Sequence, residues 1–349
     1  MSEIVMEQEV AVPLELHVAA LSESQKTCKN VKGFTSYAGL SGREGKLLVC
    51  VTGGNSYLGS HIVKELLAHS YLVRVIIQNQ DDFEDMKRLF REEEMNQLES
   101  VVVAKMGDLD TLCEAFRGCH AVFHTSSFID PHGVSGYSEQ MAFLETEGAR
   151  NVIEACGRTA YVKRCIFTSS LLASIWNGNN IDIVVDESCW SNEEFCREKK
   201  VLWLALGKTK AEKVTWNKSR EMKVKLVTVC PGLLMAPSFP NAHIETSLPY
   251  LKGGQVMLQK GMLATSDVKK VAEAHVHLYE AMNYGACGRY HCFERIIRSS
   301  DEAIKLETEL KMPGLLSEAQ TDEIDNNNKL SNSRLANLLY RTSQRLSCK

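Results

Sequence analysis

The sequence predicts an α/β fold built on a doubly wound parallel sheet, with a smaller lobe in its C-terminal half. From residue 46 onward, short apolar runs of strand length alternate with segments whose apolar residues recur at helical spacing. The runs are apolar almost throughout, which is typical of parallel strands covered by helices on both faces. With 349 residues, 44% of them hydrophobic and 24% charged, the chain has the length and composition of a globular protein.

The predicted elements follow one another in a regular order. The first β-α-β unit consists of the strand KLLVCVT, the helix YLGSHIVKELLAHS and the strand YLVRVII. Next come the strand SVVVAK, the helix DTLCEAFRG, the strand HAVFHTS, the helix EQMAFLETEGARNVIEAC and the strand VKRCIFTSS. After Ser170 the alternation loosens, and it returns with a helix around LWLALGKTKAEK and the strand KVKLVTV.

These patterns divide the chain into four parts. Residues 1–45 show no steady period and are expected to form a loosely ordered extension. Residues 46–230 are expected to form the core, and residues 231–312 a mixed lobe that covers the substrate and returns some elements to the core. Residues 313–349 read as a polar tail, the end of which could be helical.

Charge and cysteine usage exclude several classes of protein. A net charge of -4 gives no basic footprint for nucleic acid or an anionic membrane. No apolar run reaches the ~18 residues that span a bilayer, and the N-terminus is acidic where a signal peptide would be basic. The 12 cysteines form no CxxC pair, so we expect reduced thiols and no metal site. A cytoplasmic protein without nucleic-acid or membrane partners is predicted.

A glycine-rich loop lies between the first predicted strand and helix. Glycines there let the chain turn sharply and bring backbone N–H groups to a pyrophosphate, at a helix N-terminus that favours anions. The strand-loop-helix context is the one this motif requires, so a Rossmann-type core that binds a dinucleotide is predicted. The loop comprises Thr52, Gly53, Gly54, Asn55, Ser56, Tyr57, Leu58 and Gly59.

The second predicted strand ends at Gln78, the position that separates NAD from NADP in such folds. An acid there would hold the ribose hydroxyls of NAD, whereas an arginine would hold the 2'-phosphate of NADP. Glutamine favours neither, so both dinucleotides stay open on this evidence. Arg74 and Lys87 could add positive charge nearby, and Asp81 and Asp82 could oppose it.

Seven segments carry a resemblance to a known family. They are VFHTSS (122–127), IFTSSLLASIW (166–176), VVDESCWSNEEFC (184–196), GKTKAEK (207–213), VTVCPGLLMAP (227–237), SDVKKVAEAHV (266–276) and GRYHCFE (288–294). Their order resembles that of plant cinnamoyl-CoA reductases and dihydroflavonol reductases, which are extended short-chain dehydrogenases/reductases. The glycine-rich loop is similar to the TGxxGxxG loop of the same enzymes, with Ser56 in place of the middle glycine.

This resemblance implies a cofactor and a set of site residues. The cofactor would be NADP, with NAD as the alternative. Ser170 would hydrogen-bond the substrate oxygen, and Lys208 would hold the nicotinamide ribose and lower the pKa of a tyrosine one helical turn earlier. That tyrosine would donate the proton as the hydride reaches the carbonyl carbon. Asp108 and Leu109 would lie near the adenine, and Pro231 beside the cofactor.

The tyrosine is missing from this chain. The family pair reads Tyr-x-x-x-Lys, and Leu204 stands four residues before Lys208. None of the 10 tyrosines has a lysine four residues later. A positioned general acid contributes about 10²- to 10⁴-fold to the rate, and leucine has no proton to give. The substrate-recognition His and Lys of authentic cinnamoyl-CoA reductases are likewise replaced, by Thr246 and Pro249.

Two functions therefore remain open. One is a slow or altered NADP(H)-dependent oxidoreductase that acts on a small phenylpropanoid-type aldehyde, thioester or ketone through Ser170 and Lys208. The other is a cofactor-binding pseudoenzyme with a protein partner. Leu204 alone divides them, and we favour the oxidoreductase because the rest of the site is kept.

Overall fold

The computed structural model describes residues 29–30, 46–127, 137–178, 184–235, 249–316 and 329–347. Their main sheet has eight strands, of which seven run parallel and β1 runs antiparallel to its neighbour. These strands are β1 (Lys29–Asn30), β2 (Leu48–Thr52), β3 (Leu72–Ile77), β4 (Ser100–Val103), β5 (Ala121–His124), β6 (Arg164–Thr168), β8 (Lys225–Pro231) and β11 (Gly288–Cys292). Their order across the sheet is β1-β4-β3-β2-β5-β6-β8-β11.

Five shorter strands build two small sheets. They are β7 (Val184–Val185), β9 (Leu233–Met235), β10 (Ala264–Asp267), β12 (Arg295–Ile296) and β13 (Lys329–Leu330). Strands β12, β10 and β9 form a three-stranded sheet, and β13 pairs with β7. The three-stranded sheet falls within the residues for which the sequence predicted a separate lobe.

The helices pack around these sheets. They are α1 (Tyr57–Ala68), α2 (Asp81–Leu89), α3 (Glu92–Gln97), α4 (Leu109–Ala115), α5 (Glu139–Arg158), α6 (Leu172–Ile175), α7 (Glu193–Glu198), α8 (Trp203–Glu221), α9 (Gly254–Gln259), α10 (Val268–Ala281), α11 (Ser300–Leu310) and α12 (Ser333–Ser347). Short 3-10 helices cover Lys200–Leu202 and Met282–Tyr284. Across the described ranges, no helix is both long and apolar enough to cross a bilayer.

The main sheet is buried on both faces because its strands carry apolar residues at almost every position. On β2, Val49 and Val51 face one side, where they join a core with residues of α1 and α10. Cys50, between them, belongs to the core on the opposite side, which includes residues of α4 and α5. The predicted doubly wound α/β fold is thereby confirmed.

The ends of the chain are only partly described. Of the extension predicted for residues 1–45, the described part is β1, so its loose order stays a prediction. The predicted tail contains α12, whose Leu335, Leu338 and Leu339 pack against the main core. The division into four parts stays a prediction.

Candidate active site

A cavity of 660 Å³ opens at the carboxyl edge of the parallel strands. In open α/β sheets ligands bind at this edge, because the loops that follow the strands meet there. The walls come from the loops after β2, β3, β5, β6 and β8, together with α8 and the segment around Pro249. The structure places these sequence-predicted residues in the walls: Gly53, Asn55, Ser56, Tyr57, Leu58, Gln78, Ser170, Leu204, Lys208, Pro231 and Pro249.

Other predicted residues lie outside the cavity wall. Gly54 and Gly59 sit behind it, where an added Cβ would come within 2.4 Å of Val75 and within 2.1 Å of the Gly53 carbonyl oxygen, respectively. Asp108 caps α4 by accepting a hydrogen bond from the Thr111 N–H (3.2 Å), and Leu109 begins that helix. Their contact with an adenine stays a prediction. Thr246 lies outside the described residues.

The glycine-rich loop has the geometry of a phosphate-binding turn. Gly53 has a φ of +66°, and a Cβ there would approach the Ser126 backbone to 3.0 Å, so glycine is required. Ser56 has a φ of -76° and caps α1, because its Oγ accepts from the Gly59 N–H at 3.0 Å. Serine therefore replaces the family glycine without backbone strain, and it also stabilises the helix whose N-terminus would face the phosphates.

Asp82 binds two backbone N–H groups that follow β3. Its Oδ2 accepts from the backbone N–H of Gln78 (2.8 Å) and of Asn79 (3.1 Å), and all three residues line the cavity. Arg74 points elsewhere, since its guanidinium pairs with Glu99 at 2.9 Å and donates to backbone carbonyls near the end of α4. The end of the cavity around Gln78 therefore carries negative charge.

Ser170 and Leu204 share the cavity with Lys208. Ser170 follows β6 and accepts from the Leu172 N–H at 3.2 Å, and none of the described hydrogen bonds uses its hydroxyl proton. Leu204 lies in the first turn of α8, where it packs against a buried apolar cluster that joins residues of α6, α8, α9 and α11. The wall therefore contains a serine hydroxyl and an ammonium, with an apolar side chain at the expected position of the phenol.

Lys208 is held by a buried polar cluster that the sequence did not predict. Its Nζ donates to Glu145 Oε1 (2.5 Å) and to Ser127 Oγ (3.1 Å). Ser127 in turn donates to Glu145 Oε2 (2.8 Å), and the Tyr137 hydroxyl donates to the same oxygen (3.2 Å). Burial and the Glu145 carboxylate raise the pKa of Tyr137 well above its usual range, so Tyr137 stays protonated at neutral pH.

A buried histidine, His124, lies close enough to this cluster to feel its charges. The Nδ1 of His124 is 2.8 Å from the Thr52 hydroxyl, and Thr125 donates to the Thr52 carbonyl (2.7 Å). Burial lowers the pKa of His124 to about 4; the Glu145 carboxylate opposes this shift and the Lys208 charge adds to it. Thr52 thus anchors the strand end from which the loop departs. Its predicted contact with the cofactor stays a prediction.

Two wall residues carry polar atoms that need a partner. Within the described ranges, Ser126 Oγ and Tyr250 Oη are buried, and neither atom donates or accepts a hydrogen bond. Buried hydroxyls without a partner are costly, so such atoms mark places where a ligand fits. Together with the N-terminus of α1 beside the cavity, they fit a wall that binds a dinucleotide and a small substrate.

Several known proteins resemble the chain in sequence. Cinnamoyl-CoA reductase 1 of Petunia hybrida is 37% identical over 258 residues, which cover 73% of this chain and 74% of the relative. Cinnamoyl-CoA reductase 1 of Arabidopsis thaliana is 38% identical over 248 residues, 69% of each chain.

Solved structures share the fold. Vestitone reductase from alfalfa superimposes with a TM-score of 0.62 at 27% identity, covering 84% of this chain and 92% of its own. Yeast methylglyoxal/isovaleraldehyde reductase Gre2, solved with NADPH, gives a TM-score of 0.64 at 20% identity, covering 84% and 93%. The latter likeness is one of fold.

A family model agrees with these relatives. The model of the 3-beta hydroxysteroid dehydrogenase/isomerase family matches residues 50–230, from β2 to the end of β8. The chain therefore belongs to this family of extended short-chain dehydrogenases/reductases, among its cinnamoyl-CoA reductase-like members.

Proposed function

We propose that the protein is an NADP(H)-dependent reductase that acts, slowly or with altered specificity, on the carbonyl of a phenylpropanoid-type aldehyde, ketone or thioester. The observation that carries this proposal is the single cavity that joins the glycine-rich loop to Ser170 and Lys208. Relatives named as cinnamoyl-CoA reductases support the substrate class, and the NADPH in the Gre2 structures supports the cofactor.

The residues of this chain divide the work as follows. The loop from Gly53 to Leu58 would hold the pyrophosphate, and the one remaining N–H of Lys208 would bind the nicotinamide ribose. When bound, NADPH supplies a hydride to the carbonyl carbon. Ser170 would donate a hydrogen bond to the carbonyl oxygen as negative charge develops there. The oxygen then takes its proton from water, since Leu204 offers none and the three N–H bonds of Lys208 would all be engaged.

Leu204 also supports a second candidate, a cofactor-binding pseudoenzyme. Loss of the general acid leaves cofactor binding intact while it removes about 10²- to 10⁴-fold of rate. Such a protein would respond to the cofactor and pass that response to a protein partner.

Two measurements on the purified protein separate these candidates. Fluorescence titration with NADPH and NADH measures binding, and a panel of hydroxycinnamoyl thioesters and aldehydes measures turnover. We expect saturable NADPH binding and slow turnover that Lys208→Ala and Ser170→Ala both reduce. No binding of either cofactor at millimolar concentration would refute both candidates.

Restoring the acid tests the role of Leu204 directly. Leu204→Tyr places a phenol one helical turn before Lys208, so it should raise the rate at least ~10²-fold, the low end of general-acid catalysis. Turnover that appears only in this variant would identify the native chain as a pseudoenzyme. Measurable turnover before the substitution supports the reductase.

A further inference from the structure

Glu145 is a charged residue on the buried side of α5. The buried residues of that helix include Ala142, Ala149 and Val152, which recur with Glu145 at intervals of three and four residues. The whole Glu145 residue is 4% exposed, and its side chain, which pairs with Lys208, is also 4% exposed. A carboxylate on an apolar helical stripe is costly unless cationic and hydrogen-bonding partners compensate it.

The partners of Glu145 supply this compensation, and they connect it to the cavity. Both carboxylate oxygens accept hydrogen bonds, Oε1 from Lys208 and Oε2 from Ser127 and Tyr137. Lys208 and Ser127 line the cavity, whereas Glu145 lies behind them. Tyr137 is fixed by close packing, since a Cβ on Gly207 would come within 2.5 Å of its hydroxyl oxygen. Lys208 thus connects the ion pair to the wall that also contains Leu204.

We propose that Glu145 is a positioning residue of this site, which holds the Lys208 ammonium at the cavity wall and neutralises its charge. The inference rests on the proposed function, because it assigns Lys208 to the ribose of a bound cofactor. The site would then hold a carboxylate–ammonium pair beside the position where the family resemblance expects a phenol. Lys208 would keep its binding role and would acidify a neighbouring phenol less than an unpaired ammonium does, which still leaves such a phenol able to act as a general acid.

The charges around Lys208 make this consequence measurable. Among the described residues, Glu145 is the acidic group that contacts the ammonium. The other titratable neighbours in the cluster are uncharged at neutral pH, because burial raises the pKa of Tyr137 and lowers that of His124 to about 4. Removing the charge of Glu145 should therefore expose a phenol at residue 204 to the full field of the ammonium.

The test introduces a phenol as a probe and needs no turnover. The ultraviolet absorption of phenolate is titrated in Leu204→Tyr and in Leu204→Tyr/Glu145→Gln. From each titration we subtract that of the matching chain that keeps Leu204, the unsubstituted chain for the first and Glu145→Gln for the second, because Glu145→Gln also lowers the pKa of Tyr137. We expect the introduced phenol to ionise about one pH unit lower, or ~10-fold more readily, when Glu145 is neutral. Identical titrations in the two variants would overturn the proposal.

Glu147 provides the matched control. It lies on the same helix, its side chain is 40% exposed, and it pairs with Arg150 away from the cluster. Leu204→Tyr/Glu147→Gln removes one carboxylate charge from α5 as well, and its phenol should titrate as in Leu204→Tyr. An equal shift in this control would show a general charge effect and would count against Glu145.

Cofactor binding tests the positioning role. Glu145→Gln keeps an oxygen that can accept from Lys208, whereas Glu145→Ala removes it. The dissociation constant for NADPH should rise ~10-fold in Glu145→Ala and distinctly less in Glu145→Gln, and circular dichroism checks that both variants fold. Unchanged binding in a folded Glu145→Ala would overturn the positioning role. Failure of the unsubstituted chain to bind NADPH would instead overturn the proposed function, and the phenol titration would still stand.

Discussion

At the scale of single residues, we expect Asp82 to influence whether the cavity prefers NAD or NADP. Its carboxylate accepts hydrogen bonds from the N–H groups of Gln78 and Asn79. It also adds negative charge near the place where related folds hold the 2'-phosphate of NADP. Gln78 itself contributes no charge. We therefore expect this site to discriminate against NAD less strongly than a site that carries an arginine at this position.

This arrangement predicts the effect of two substitutions. Gln78→Arg should lower the NADPH dissociation constant relative to that for NADH by ~10-fold, through a charge-assisted contact with the phosphate. Asp82→Asn should act in the same direction by removing the repulsive charge. Fluorescence titrations with both cofactors give the ratio, and Asp81→Asn is the control because Asp81 is exposed on the same helix. A constant ratio in both variants would mean that the phosphate lies elsewhere.

The sequence predicted the residues that belong to a motif and missed those that meet only in space. Ser170, Lys208 and the loop residues follow from order and spacing along the chain. Glu145 contacts Lys208 across 63 positions, so no local pattern links the two. The available signal was the charge itself, a glutamate on the buried stripe of α5. Ser127 and Tyr137 gave no comparable signal, since polar residues are common in loops and at helix starts.

At the scale of elements, the turn from β2 into α1 depends on Gly53. Gly53→Val would place a branched side chain at a φ of +66° and against Ser126, whose Oγ lies 2.8 Å from the Cβ position. We expect the variant to lose measurable NADPH binding in a fluorescence titration. Gly107→Ala is the matched control, because a Cβ there meets no atom within 4 Å. Full binding by Gly53→Val would show that the pyrophosphate does not approach this turn.

The sequence predicted the alternating elements well and the charged helices poorly. Strand and helix patterns between Lys46 and Pro231 correspond to β2 through β8, because apolar periodicity is strong wherever an element covers the sheet. Helices α2 and α3 were not predicted, because few of their side chains are buried and their sequences therefore show little apolar periodicity. Acids in the first turn and bases in the last turn of α2 were the remaining indication. The strands of the small sheets have two to four residues, too few to show a period.

At the scale of the whole molecule, buried histidines should make the fold sensitive to acid. Burial lowers the pKa of His124, His275 and His291 to about 4, below the ordinary value near 6.5. The unfolded chain binds these protons at higher pH than the folded chain does, so the free energy of unfolding falls as the pH drops from 6.5 towards 4. Each histidine contributes a loss of order 3 kcal/mol over that range.

Urea unfolding at a series of pH values measures this slope. The buried His275 ring lies between Thr168 and the Val271 carbonyl. His275→Gln removes this ring, so the number of protons taken up on unfolding, and with it the slope, should fall by about one proton. A free energy of unfolding that is constant between pH 6.5 and 4 would contradict the prediction.

The short strand β1 has a consequence for how copies of the protein meet one another. Its residues Lys29–Asn30 pair with Val102 and Val103, so β1 covers half of the outer strand of the main sheet. An uncovered outer strand offers free backbone groups to any other chain with a strand to add, and this is a common route to aggregation. A chain shortened to start at Lys46 would keep every described residue of the cavity wall and lose this cover. Its β4 edge would then be open to pairing with a second copy. Removing the N-terminal residues would therefore promote aggregation more than it would weaken cofactor binding.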